Sequence, residues 1–355
     1  MAFANWLWTA VVDRFDLTFG AAAPYGAPAL AGALACSLAY YLWRRRSRGR
    51  PVSARGFVRT IFASRIVWSP SSIVDVKLWA LNGLVLAGGY GYLAFGNVFC
   101  RDATLAGLNA VFGARAPAPW PAWTVLASAT LFELLAYELA YWFGHFLFHR
   151  IPALWEFHKV HHSAEVMTTF TELRQHPVEI LASMNLIAIA TGAVFGVMTY
   201  AFGPGVQPFT LLNGNILLML FLVSYGHLRH SAMWIPFTGV AGHILQSPAH
   251  HQIHHSDNPA HWDRNLGFAL ALWDWAFGTL YIPSVERETI RFGVGPTDGE
   301  FSTVPRNYLL PFVRFGEHVG RELRHLAPQP RGADGRGSQG WAATVSSNSG
   351  DGRGP

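Results

Sequence analysis

Residues 121–149 read PAWTVLASATLFELLAYELAYWFGHFLFH. The apolar part, Pro121–Phe143, carries only Glu133 and Glu138 as charged groups. It exceeds the ~20 residues a helix needs to cross a bilayer core. Directly after it come His145 and His149, four residues apart and therefore on one helix face. A spanning helix that ends in paired imidazoles sets the frame for the remaining chain.

The composition agrees with that frame. Among 355 residues, 51% are hydrophobic and only 13% charged, against about 25% charged in ordinary soluble domains. The mean hydropathy is +0.22. A cytosolic globular enzyme and a disordered scaffold are both excluded on this balance. The net charge of +5 is local, with Arg44, Arg45, Arg46, Arg48, Arg50, Arg55, Arg59 and Arg65 beside an apolar run. This reads as a topology signal, not as a nucleic-acid footprint. Cys36 and Cys100 cannot build a disulfide framework or a thiolate metal site.

Further spans follow from the same test. Gly26–Trp43 is closed by the arginine cluster, which the positive-inside rule puts in the cytoplasm. Met1–Gly20 lacks the order of a secretory leader, because Asp13, Arg14 and Asp16 interrupt it. Ser53–Asp75 suits a basic interfacial helix or a loop. Lys77–Phe95 returns outward, Asn97–Trp120 is expected as an outer loop, and Pro121–Phe143 runs inward. Val178–Phe202 and Pro208–Gly226 form an apolar hairpin, spanning or re-entrant, around Gly203-Pro204-Gly205. The expectation is an all-α chain with about four to five membrane spans and a cytoplasmic helical cap. Its parts are 1–76 (first span and Arg-rich segment), 77–283 (core), 284–326 (C-terminal segment) and 327–355. The last is Gly-, Ser-, Pro- and Arg-rich and is expected to be disordered. Strand signals are poor outside short stretches such as Thr289–Val294.

On this topology His145–Pro177 and His227–Pro283 fall on one side, and they hold nearly all of the sixteen histidines. These come as His145/His149, His158/His161/His162, His227/His230 and His250/His251/His254/His255. Each cluster aims two or three imidazoles one way, enough together for two transition metals and excessive for one. Isolated His176, His243, His318 and His325 read at least as well as hydrogen-bonded core residues as they do as ligands, and His261 stays open. There is no His-Glu-x-x-His motif for a zinc protease and no thiolate set for an iron–sulfur cluster. Imidazole alone suits Zn, Cu, Fe and Ni alike.

The boxes His145-Phe-Leu-Phe-His149, His158-Lys-Val-His161-His162 and His251-Gln-Ile-His254-His255 resemble those of the fatty acid hydroxylase/sterol desaturase superfamily. Leu173-Arg-Gln-His-Pro177, Leu228-Arg-His-Ser231, Asp263-Arg-Asn-Leu-Gly267 and Leu272-Trp-Asp-Trp-Ala-Phe-Gly-Thr279 carry the likeness further. The resemblance spans about Ser71–Pro283. It implies a non-haem di-iron centre held by His145, His149, His158, His161, His162, His230, His251, His254 and His255. His227 could pair with His230; His250 stands where the family tolerates other residues.

Five further residues are candidates to orient these ligands: Glu138, Arg174, Asp263, Asn265 and Asp274. Glu138 lies seven residues before His145 on the same face, where it can fix an imidazole or pair with an arginine such as Arg174. A helix–helix hydrogen bond, a turn or a cap are the plain alternatives for these side chains.

The implied activity is hydroxylation or desaturation of an unactivated lipid C–H bond, with two Fe ions, O2 as co-substrate and an external electron donor. No haem module, dinucleotide fingerprint or iron–sulfur set is seen in the sequence, so a separate electron-transfer protein or reductase is implied, together with the bilayer and a lipid substrate. Arg44–Arg65 is read first as a match for anionic headgroups and second as a match for an acidic carrier. Near-exclusive Arg over Lys hints at a bacterial inner membrane. The competing readings are a non-catalytic membrane metal-binding or transport protein and a bis-histidine haem protein. Transport sites favour the bilayer midplane, and haem would need histidines facing one another from different spans.

Overall fold

The computed structural model describes residues 25–87 and 93–326, with Trp8, Val12 and Gly20. The expected tail 327–355 and the middle of the Lys77–Phe95 stretch therefore lie outside the described residues. Within them the chain is helical. The elements are α1 (Ala27–Ser47), α2 (Ala54–Ile61), α3 (Ser64–Val67), α4 (Pro70–Ala87), α5 (Asn97–Phe112), α6 (Ala122–Arg150) and α7 (Pro152–His162). After them come α8 (Pro177–Phe202), a two-stranded hairpin β1 (Thr210–Leu211) and β2 (Gly214–Asn215), α9 (Ile216–Ser224), α10 (Gly239–Ile244), α11 (Pro248–His254), α12 (Leu272–Phe277) and α13 (Val304–Leu326).

Two of these helices, α6 with 29 residues and α8 with 26, are long and apolar enough to cross a membrane. At 1.5 Å per residue they reach about 40 Å. Their outward faces leave Leu131, Phe132, Leu139 and Phe143 of α6 and Met184, Ile189 and Val197 of α8 exposed. A continuous apolar exterior of this kind suits lipid and not water. The second arm of the expected hairpin is shorter than a span. Leu212 and Asn213 turn with positive φ, and α9 then runs for only nine residues, about 14 Å against a core of about 30 Å. Asn215 ties this turn to α6 by donating to the Thr130 carbonyl (2.8 Å) and to Glu133 (2.9 Å).

One expectation is corrected outright. Asn97–Trp120 is not a loop, because Asn97–Phe112 forms α5 between Gly96 and a Gly113 with φ of 76°. Arg101 and Asp102 disguise it in a hydropathy reading, but no proline interrupts it before Pro117. It is held by α8 through small residues. A Cβ on Gly192 would stand 2.5 Å from the Cys100 Cβ, and one on Gly196 would stand 2.5 Å from the Thr104 Cβ. The pairs Cys100/Thr104 and Gly192/Gly196 each share a helix face at i, i+4, so one ridge seats in one groove. Asn97 adds a hydrogen bond to Thr191 (2.6 Å).

On its other side α8 packs against α6, and α7 packs against α13. The α4–α7–α13 junction is pinned by Arg174, which is 1% exposed. Its guanidinium pairs with Asp75 (3.0 Å) and donates to the Val160 and Phe301 carbonyls and to Ser163. Arg174 is thus not the partner of Glu138. His176 caps α8 as a neutral ring: its Nδ1 accepts from Val178 N and its Nε2 donates to the Tyr308 carbonyl. The strand-like stretch Thr289–Val294 contributes only a single bridge, Phe292 to Ser256.

The α5–α8 contact yields a direct test. Gly196→Val is expected to destabilise the folded protein by about 1–3 kcal/mol through overpacking. Gly107→Ala, on the open face of α5 with nothing within 4 Å, should leave stability unchanged or raise it by up to about 1 kcal/mol. Thermal unfolding in detergent that failed to separate the two variants would contradict the packing described.

Candidate metal centre

The histidine boxes are delivered by three helix ends and one short turn. His145 and His149 close α6. Ile151-Pro152 then breaks the chain, and Pro152 opens α7, whose last two turns hold His158, His161 and His162. His230 follows the short turn Gly226–Leu228. α11 begins at a Ser247 cap and carries His251, His254 and the flanking His255.

Nine of the ten candidate ligand histidines converge, and they do so as two groups. His145, His149, His158, His162 and His254 form one; His161, His230, His251 and His255 form the other, with the candidate donor atoms of each group within 4.8 Å of one another. Helical geometry explains the division. Neighbouring residues on a helix point about 100° apart, so the doublet His161-His162 is split between the groups, and His254-His255 likewise. Residues at i, i+4 share a group, as with His158/His162 and His251/His255. Because each doublet feeds both groups, the two must be neighbours: the His162 and His255 rings stack with centroids 4.5 Å apart.

Hydrogen bonds fix which nitrogen of each ring is free. His145 Nδ1 donates to the Leu266 carbonyl (2.7 Å), His158 Nδ1 to Glu179 (2.7 Å), His254 Nδ1 to the Arg264 carbonyl (2.8 Å) and His149 Nδ1 to Asp263 (3.3 Å). In the second group His161 Nδ1 donates to the Arg174 carbonyl (3.2 Å) and His230 Nδ1 to Glu172 (2.9 Å). With the ring proton on Nδ1, a neutral imidazole presents only a lone pair at Nε2. Yet the Nε2 atoms of His145 and His158 stand 3.0 Å apart, and those of His161 and His230 stand 3.2 Å apart. Such a contact holds no hydrogen bond, because neither nitrogen has a proton to give.

Protonation does not resolve the conflict. Burial, then neighbouring imidazoles, push His158, His162, His254 and His255 well below the ordinary histidine range. Burial and His230 lower His161 to about 3. A cation between the nitrogens does resolve it. Metal–nitrogen bonds of about 2.1 Å put neighbouring ligand atoms about 3.0–3.4 Å apart for octahedral or tetrahedral angles. Nε2 of His149 and of His254 is buried without a hydrogen-bond partner, as expected of lone pairs reserved for an ion. His251 differs, since Arg229 donates to its Nδ1 (3.3 Å) and its own Nε2 points at His230 (2.8 Å). A proton there occupies the place of a ligand bond, and metal binding would release it.

A second layer of side chains holds the rings. Glu138 lies buried in α6 and accepts from the backbone of Ala269 (3.0 Å) and Leu270 (3.0 Å). Asp274 accepts from the backbone of Leu266 and Gly267 (2.8 Å each), from Thr279 (2.6 Å), Gln246 (2.7 Å) and Trp142 (3.2 Å). These two carboxylates shape the loop 263–271, whose carbonyls at Arg264 and Leu266 receive His254 and His145. Asp263 bridges His149 and Arg150, and these hydrogen bonds hold its carboxyl below the usual range. Asn265 has φ of 57°; it donates to the His250 carbonyl and accepts from Tyr281 N, which fixes α11 to the loop. Arg174 acts on the centre only through its carbonyl, at His161.

His227 stands outside both groups, with its ring 4.4 Å from that of Tyr25. His250 bonds Ser247 (2.6 Å) inside its own cap, and His261 lies beside Tyr281 and Glu288. Three residues were not singled out from sequence: Glu172, Glu179 and Arg229. Burial alone would raise Glu172, but Arg229 and His230 outweigh it and hold the carboxyl well below its ordinary range. Their only sequence signal is proximity to the histidine words, Glu172 before Leu173 and Arg229 before His230.

Two cavities flank the centre. One, of about 350 Å³, lies between α6, α8 and α9 and reaches His145, Glu172 and Glu179. The other, of about 850 Å³, opens at His149, His162 and His254 beside Trp155 and Trp262.

A helical chain with apolar spanning-length helices and two adjoining polyhistidine groups defines a class that comparison makes specific. Residues 130–279, which contain every histidine of both groups, match the family model for fatty acid hydroxylase, and this segment belongs to the fatty acid hydroxylase superfamily. Its curated relatives include alkylglycerol monooxygenase of Xenopus tropicalis, 27% identical over 194 residues that cover 55% of this chain and 35% of the relative. Ornithine lipid hydroxylase OlsE of Rhizobium tropici is 26% identical over 216 residues, 59% of each chain. Very-long-chain aldehyde decarbonylase GL1-8 of Oryza sativa subsp. japonica is 28% identical over 172 residues, 47% of this chain and 57% of the relative. The matched region thus spans less than two thirds of these relatives. No solved structure matches the chain.

Asp274→Ala would remove five hydrogen bonds, leaving Trp142 only its contact with Thr279, and loosen the carbonyls that orient His145 and His254. The expected result is about 10–100-fold weaker metal binding and a stability loss of about 3 kcal/mol. Unchanged affinity in a competitive chelator titration would show that the loop does not hold the ligands.

Proposed function

We propose that the chain is a membrane-embedded, O2-dependent hydroxylase of a lipid C–H bond, with one iron ion in each histidine group. The observation that carries this is the pair of facing, proton-free Nε2 atoms in each group, which need a cation between them. His145, His149, His158, His162 and His254 would hold one ion, and His161, His230, His251 and His255 the other. Iron is favoured over zinc because the family relatives are named for oxidations, which a redox-inert ion does not support. His227 is not assigned as a ligand.

When bound, the metal pair supplies activation of O2 and removal of hydrogen from carbon. The chain's own residues hold and orient. The Nδ1 bonds to carbonyls and to Glu172, Glu179 and Asp263 keep each ring turned inward and raise its basicity. The 350 Å³ cavity admits the lipid from between α6, α8 and α9, where entry from the bilayer needs no passage through water. Positioning of a single carbon against the centre supplies the selectivity. The wider opening on the opposite side serves the electron donor, a separate carrier protein or reductase. There the Trp155 ring lies 5.1 Å from both His149 and His162. The overall balance is R–H + O2 + 2e⁻ + 2H⁺ → R–OH + H2O. We assign the basic segment Arg44–Arg65 and the histidine groups to the cytoplasmic side, with the helices that remain short in the described residues completing the membrane region. A non-catalytic metal carrier is disfavoured, since rings locked by six Nδ1 bonds make a poor site for rapid release.

The test is incubation of membranes that contain the full chain under ¹⁸O2, with high-resolution mass spectrometry of the extracted lipids. One ¹⁸O per product is expected, falling to background in His161→Ala and His254→Ala. Identical lipid profiles for wild type and His161→Ala would overturn the assignment.

A further inference from the structure

A third cavity, of about 590 Å³, lies apart from both histidine groups, and no histidine borders it. Its walls come from α1, the α2–α3 stretch, the first half of α4, and the segments 167–170 and 228–233. Phe62, Trp68, Ile73 and Val76 border it and are also exposed. An apolar lip therefore opens the cavity onto the apolar exterior. The hydroxyls inside do not make it polar. Thr60 donates to the Gly56 carbonyl (2.8 Å), Ser72 to that of Ile66 (2.7 Å) and Ser231 to that of Leu228 (2.7 Å). Each of these protons is spent beside its own residue, so the lining offers mainly carbon. Such a space, within the usual size of ligand sites, takes a hydrocarbon chain.

The charge at its edge has one sign. Lys77 borders the cavity one turn beyond Ile73, and no aspartate or glutamate does so among the described residues. Its stem can lie along the lip while the ammonium reaches the headgroup level. Arg59 and Arg65 adjoin the lining residues Thr60 and Ile66, and both are exposed. No carboxylate pairs with Lys77, Arg59 or Arg65 among the described residues. The nearby acids stand apart from the lining: Asp75 is spent on Arg174, and Glu165 is exposed and joins Ser71 through its backbone N–H. Unpaired cations at the mouth of a hydrocarbon slot match an anionic lipid, which the cytoplasmic leaflet supplies. The far wall leads to the metal centre. Segment 167–170 runs into Glu172, and 228–233 contains His230, to which Glu172 is hydrogen-bonded (2.9 Å).

We propose that this cavity binds one acyl chain of an anionic bilayer phospholipid, whose phosphate meets Lys77 with Arg59 and Arg65 adding charge around it. This lipid is a resident and not a substrate, because no histidine borders the place it occupies. It fastens the basic segment to the membrane. It also braces 167–170 and 228–233, and with them the Glu172–His230 hydrogen bond. The site stands independently of the hydroxylase reading, since it requires only the lip, the apolar lining and the unpaired cations.

Full-chain protein in mild detergent is titrated with phosphatidylglycerol or phosphatidylcholine of identical acyl chains, and bound lipid is counted by native mass spectrometry. Phosphatidylglycerol is expected to bind at least about 5-fold more tightly, the worth of one cation near a bilayer surface. Lys77→Gln should lower that preference by about 5-fold. Val76→Trp, which narrows the lip, should weaken both lipids. Both substitutions fall on exposed positions, so the fold is kept. Arg48→Gln, outside the cavity, should change neither lipid. Bound phosphatidylglycerol should also slow backbone hydrogen exchange at 167–170 and 228–233. Equal affinity for the two lipids, unchanged binding in Val76→Trp, or an Arg48→Gln effect as large as that of Lys77→Gln would overturn the site. Tighter binding of oleate than of phosphatidylglycerol would give the cavity to a free fatty acid and overturn it as well. Unchanged exchange in both segments would overturn the bracing.

Discussion

Four imidazole nitrogens set the terms for this molecule. Nε2 of His145 faces Nε2 of His158, and Nε2 of His161 faces Nε2 of His230, each pair at hydrogen-bond distance with no proton to share. The partner of every one of these rings at Nδ1 takes the proton away. Burial denies the pairs a proton from solvent, since it drives His158 and His161 far below the ordinary range. Unpaired polar atoms in a core cost about 1–3 kcal/mol each, a cost that the proposed cations between the lone pairs would remove. On that proposal metal binding and folding are coupled.

The rest of the fold exists to impose that arrangement. α6 and α8 bring His145, His149 and Glu179 to one end of the long helices. Arg174 locks α4, α7 and the segment before α13 together, and its carbonyl turns His161. Glu138 and Asp274, both fully buried, pin the loop 263–271 so that its carbonyls meet His145 and His254. Buried carboxylates in such a setting are expensive, and here their oxygens accept from backbone N–H groups that would otherwise be stranded. The same frame leaves one cavity between α6, α8 and α9 and another at His149, His162 and His254.

The histidines were legible because helical periodicity is local. His145/His149, His158/His162 and His251/His255 are i, i+4 pairs that any helix would align, and the shared side followed from counting apolar runs. Glu138 and Asp274 could be suspected as buried acids, but their partners lie more than a hundred residues away or across a tight loop, which no spacing encodes. Glu172, Glu179 and Arg229 were hidden for the same reason. The helix α5 was misread because Arg101 and Asp102 lower its hydropathy, while what holds it is the absence of side chains at Gly192 and Gly196. The length of α9 was invisible too, since a re-entrant arm and a spanning arm have equally apolar sequences.

The central claim is that two neighbouring cation sites are built from separate sets of histidines, and metal stoichiometry tests it most directly. Elemental analysis of detergent-purified full-chain protein, expressed with supplied iron, should give two transition-metal ions per chain, one for each histidine group. A His145→Ala/His254→Ala double variant and a His230→Ala/His251→Ala double variant should each retain about one, because the remaining group keeps at least two ligands with fixed rings. A folded wild-type protein with no bound metal, or with a single ion that either double variant abolishes, would contradict the account.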